Sequence, residues 1–156
     1  MKVLKEYFVA VFISLEFLIV LMGIVGICFF RPDIQFVASL VVADEEIVKY
    51  FSLLPTAFFV WTLNESKKLL FPDKENAKIL QEWGDYWRLK VHFKTALLYS
   101  FAFALMGWLV WVLGLKVNNA DGFIMLVLSI AGGFVVATTV YFAIINEREI
   151  LLKLKQ

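Results

Sequence analysis

The chain has 156 residues, 62% of them hydrophobic and 19% charged, and its net charge is +1. A soluble domain of this size keeps a polar exterior and is about 45–50% apolar, so the composition excludes an ordinary soluble globule and points to a membrane protein. Net charge names no partner, and one histidine with one cysteine makes neither a disulfide framework nor a zinc-type ligand set.

Lys2 and Lys5 precede an apolar run, 8–30, interrupted only by Ser14 and Glu16. About 20 apolar residues at 1.5 Å rise cross a bilayer, so this run suffices. It exceeds the core of about 7–15 residues typical of a signal peptide, and no small-residue cleavage site follows before Arg31-Pro32. It is therefore read as an uncleaved first span. Arg31-Pro32-Asp33 stops it, because proline lacks an amide donor and pushes its predecessor out of the α region. Residues 34–43 are apolar but too short to cross, and are expected at the outer interface.

Asp44-Glu45-Glu46 reads as the start of a second span, 44–63, where acidic side chains meet unpaired amides and the positive end of the helix dipole. Pro55 should kink it, and Lys49 can snorkel to the outer interface. A polar hairpin, 64–92, follows. Lys67-Lys68 close the second helix and Phe71-Pro72 ends it. Asp73 caps a short helix that puts Ile79, Leu80 and Trp83 on one face and leaves Lys74, Glu75, Lys78 and Glu82 wet. Gly84 breaks it, Asp85 caps the next helix, and Tyr86 and Trp87 stand where interfacial aromatics belong. The third span, 93–115, and the fourth, 123–145, are joined by a short turn and must be antiparallel neighbours. The tail, 146–156, continues as an amphipathic helix.

The expected fold is thus all-α: an integral membrane protein of four transmembrane helices, with a helical hairpin between spans two and three. With four spans, both termini and the hairpin share one side, which carries twelve of the fifteen basic residues; Arg31, Lys49 and Lys116 lie toward the other. The positive-inside rule makes the twelve-residue side cytoplasmic. The short loops suit a bacterial inner membrane.

Three features could carry function. Counting along one straight helix puts Glu16 about 13 Å deep, near the midplane, where a bare carboxylate costs about 2.5–3.5 kcal/mol. It is either a proton or cation site, or a carboxyl bonded to Ser14, Ser100, Ser129 or Thr138 as packing glue. Ser129, Gly133 and Ala137 recur at four-residue spacing, a stripe that lets helices approach closely, within one chain or between subunits. The hairpin is either a solvated connector or a docking surface for a cytoplasmic protein, with Ile79, Leu80, Trp83 and Trp87 as its apolar face and Lys78 and Arg88 as cations beside it. Its lysines alternate with Glu65, Asp73, Glu75, Glu82 and Asp85, which leaves little field for direct nucleic-acid binding. A phosphate-binding glycine loop and a Ser/His/Asp set are both missing from the sequence, so neither catalysis nor a cofactor is expected.

Four spans, both ends inside, and the basic tryptophan-bearing hairpin LLFPDKENAKILQEWGDYWRLK together resemble the small membrane subunits of the bacterial Kiwa anti-phage system, the KwaA family. The resemblance implies a homo-oligomer, a tetramer, that senses events at the membrane during infection. It also implies a DNA-binding effector docked on the cytoplasmic face. It transfers no residue roles. The expected function is a non-enzymatic membrane sensor or scaffold that docks a cytoplasmic partner, and the alternative is a small ion or proton channel built around Glu16.

Overall fold

The computed structural model describes residues 2–42, 44–72, 83–84 and 86–154. Six helices make up the regular structure of these residues: α1 (Lys2–Phe12), α2 (Leu15–Phe29), α3 (Arg31–Ser39), α4 (Glu45–Leu70), α5 (Tyr86–Val112) and α6 (Ala120–Leu154). The helices end where local chemistry ends them. Pro32 occupies the first turn of α3, a position that needs no amide donor. Asp44 caps α4, its carboxylate accepting the Glu46 amide at 3.3 Å. Gly114 takes a left-handed φ of +59° at the end of α5. Its amide donates to the Trp111 carbonyl and the Leu115 amide to that of Val110, the paired bonds of a Schellman ending.

The long helices alternate in direction. Gly107 of α5 sits on Ser52 and Pro55 of α4, and the Phe59 and Phe101 rings lie 5.6 Å apart, so α4 and α5 are antiparallel. Gly132 of α6 meets the ring of Phe103, and Gly23 of α2 meets Leu128, which makes α6 antiparallel to both α5 and α2. Gly107 is the tightest fit to the backbone of another helix. A Cβ there would stand 2.6 Å from the Ser52 carbonyl oxygen, so only glycine lets α4 and α5 approach this closely. One buried cluster, including Phe93, Phe103, Val136, Val140 and Ile144, joins α5 to α6. A smaller one around Val110, Val117 and Leu126 closes the opposite end.

The bundle therefore has two ends. The hairpin end holds the close of α4, the start of α5 and the close of α6. The Arg31 end holds α3, the start of α4 and the α5–α6 turn. There Arg31 contacts Asp121 at 2.8 Å, and the Gln35 side chain both donates to the Asn118 carbonyl and accepts the Ala120 amide.

Among the described residues, two helices are long and apolar enough to cross a membrane: α5 and the Ala120–Ile150 part of α6. A third span exists if α2 and α3, bent by 93° at Phe30, count as one. The 26-residue α4 runs on through Pro55, but Lys49, Ser52, Thr62 and Asn64 dilute its apolar character. The expected single helix over 8–30 is divided. It breaks at Ile13-Ser14, and the 15 residues of α2 are about 22 Å long, short of a hydrocarbon core of about 30 Å.

Candidate functional site

Ser14 causes that break. Its backbone is extended and its hydroxyl accepts the Phe17 amide at 3.1 Å, which makes it the N-cap of α2. Glu16 then falls in the first turn of α2, next to unpaired amides that favour a carboxylate. It is only 7% exposed, and its Oε1 lies 3.1 Å from the hydroxyl of Thr139 on α6.

The Thr139 hydroxyl is also 3.0 Å from the Val135 carbonyl and 2.9 Å from that of Val136. A hydroxyl has one hydrogen, so it serves one of these three acceptors at a time. When it donates to Glu16, the carboxylate can be an anion. When it donates to its own helix, the contact survives only with a protonated carboxyl donating to the threonine oxygen. The pair has two proton arrangements and one geometry.

Glu16 and Thr139 border a cavity of about 360 Å³ at the hairpin end, which Ser14, Thr95 and His92 also line. The remaining wall is apolar, with Leu89, Phe93 and Val140. Thr95 is 5% exposed. Ser14 is satisfied within the α1–α2 junction. Tyr99 ties that junction to α5 by donating to the Val11 carbonyl at 2.8 Å. No residue of α2 beyond Glu16 lines the cavity, and the contact of Gly23 with Leu128 packs the two helices together further along.

These positions revise several expectations. The partner of Glu16 is Thr139; Thr138 donates instead to the Phe134 carbonyl, Ser129 to that of Leu126, and Ser14 is occupied as a cap. The Ser100 hydroxyl is buried without a partner among the described residues, as are those of Thr62 and Ser66. Thr139 lies about 8 Å to the hairpin side of the middle of 123–145 at 1.5 Å per residue, and Glu16 lies beside it. The count along one straight helix does not apply to Glu16, because the helix restarts at Ser14. Sequence reasoning takes His92 as a lone interfacial residue and does not single out Thr95 or Glu147, the last a second nearly buried carboxylate at the same end.

The Ser129–Gly133–Ala137 stripe faces inward. Ser129 and Gly133 are buried, a Cβ on Gly133 would meet Phe58 and Pro55 of α4, and Ala137 is half-buried. Of the hairpin residues, Lys78, Ile79 and Leu80 lie outside the described residues, as do the capping positions Asp73 and Asp85. Trp83 is half-buried and Arg88 exposed. Tyr86 is buried with the Lys90 ammonium 4.3 Å from its ring centre, while Trp87 turns outward, 45% exposed, with Lys94 6.0 Å from its ring centre.

Around the α5–α6 turn at the Arg31 end, a second cavity of about 470 Å³ is bordered by Glu45, Lys49 and Lys116. Among the described residues no three His, Cys, Asp or Glu side chains come together as a metal site requires. No family model, curated protein or solved structure matches the chain.

Proposed function

We propose that the chain is a non-enzymatic, oligomeric four-span protein of the bacterial inner membrane, which senses a change on the cytoplasmic side of the bilayer and docks a cytoplasmic protein. In this reading α1 and α2 together make the first span and α4 the second, and the distribution of basic residues puts the hairpin and both termini inside. The observation that carries the reading is the position of the Glu16 cavity. It is walled by Leu89 and His92, on the same two turns of α5 that display Trp87 and Arg88 outward. An event in the cavity therefore acts directly on the base of the hairpin. The resemblance to the Kiwa membrane subunits supplies the class of partner, a DNA-binding effector, and a tetramer as the assembly.

Co-purification tests the docking. Trp83→Ala with Ile79→Ala is expected to abolish recovery of the soluble partner while leaving oligomer size intact; unchanged recovery would remove the hairpin from the account. A second reading, a proton or ion pore built on Glu16, draws on the same buried carboxylate. It requires flux in liposomes that Glu16→Gln alters, and tight vesicles would sink it.

A further inference from the structure

We infer that the Glu16 cavity binds a primary ammonium group carried on an alkyl chain. The acceptors come first. Glu16 is more than nine-tenths buried and lines the cavity, and so does the buried Thr95, whose hydroxyl oxygen is a further acceptor. His92 contributes an imidazole, which when neutral offers one acceptor nitrogen. An ammonium group has three N–H donors, one for each of these groups. The apolar wall around Leu89, Phe93 and Val140 receives the chain.

The same wall discriminates against other ligands. An anion would meet Glu16. A calcium ion needs six to eight oxygen ligands, more than the wall supplies. A quaternary ammonium offers no N–H and is held by cages of Trp, Tyr or Phe, and Phe93 is the one such side chain among the described lining residues. Ile13, Leu15 and Thr139 at the rim are exposed, so the cavity opens sideways at the α1–α2 junction. A ligand can reach it from the lipid leaflet, as the headgroup of an aminophospholipid, or from water, as a free alkylamine. The inference rests on the sensor reading for its biological use, but binding needs no cytoplasmic partner. Loss of docking and loss of binding are therefore separate results.

The test is native mass spectrometry of the full chain purified in detergent, offered equal amounts of phosphatidylethanolamine and phosphatidylcholine with identical acyl chains. Retention of the ethanolamine lipid should exceed that of the choline lipid about tenfold, the order of one charge-assisted hydrogen-bond set. Glu16→Gln, which keeps side-chain volume and a partner for Thr139, should bring the ratio near one, and Gln35→Ala at the other end should leave it unchanged. On the wild-type protein, octylamine should displace the lipid where octyltrimethylammonium does not. Octylamine binding without a lipid preference would identify a free amine as the source. Equal behaviour of primary and quaternary amines in both wild-type arms, or a preference that survives Glu16→Gln, would overturn the inference.

Discussion

At the Arg31 end, polar groups between elements satisfy one another. Arg31 reaches both oxygens of Asp121 at 2.8 and 3.1 Å, and Gln35 spends its amide oxygen and nitrogen on the α5–α6 turn. At the hairpin end, the buried Glu16 carboxylate accepts from the Thr139 hydroxyl and keeps acceptor capacity to spare around an open cavity. Satisfied groups set register, holding α3 against the start of α6. Unsatisfied ones in an apolar wall are expensive to keep, and a ligand is the natural reason to keep them.

The heaviest blow to both ends together is Gly107→Val. The new side chain would run into the Ser52 backbone and the buried Pro55, and overpacking of this kind costs about 2–3 kcal/mol. Thermal unfolding in detergent, followed by circular dichroism, should show a clear fall in Tm. An unchanged Tm would mean that α4 and α5 do not approach here. Gln35→Ala comes next. It strips two hydrogen bonds from the Arg31 end, for about 1–2 kcal/mol, and should leave amine retention at the other end untouched. Arg31→Ala should cost less than about 1 kcal/mol, because both partners are more than half exposed and such pairs are weak. A larger loss would show that the ion pair does more than set register.

The reading of the sequence succeeded where structure is set by neighbours along the chain. The acids at 44–46 did begin α4, Lys67 and Lys68 did fall in its last turn, and Arg31-Pro32 did separate two helices. Ser14 was also a local signal, a hydroxyl two residues ahead of a carboxylate. It was passed over because hydropathy counts solubility in lipid and not backbone conformation. The choice of Thr139 over its neighbour Thr138 was beyond local reading. It depends on how α2 lies across α6, which is set by Gly23 against Leu128 and Gly26 against Ile124. His92, alone in sequence, joined a site only because the α1–α2 junction packs against α5.

The smallest expected effect has the opposite sign. Thr62→Val removes a buried hydroxyl that has no partner among the described residues. It should leave stability unchanged or raise it by up to about 1 kcal/mol; a marked loss would mean that the hydroxyl is bonded in the working assembly.

The assignment of the two ends to opposite sides of a membrane is tested most directly by labelling single cysteines in intact spheroplasts with a membrane-impermeant maleimide. The background is Cys28→Ala, which removes the one exposed native thiol. Asn118→Cys marks the Arg31 end and Gly84→Cys the hairpin end, both at exposed positions. The account predicts that Asn118→Cys is labelled from outside and Gly84→Cys only after the membrane is permeabilised. Labelling of both from outside, or of Gly84→Cys alone, would contradict it.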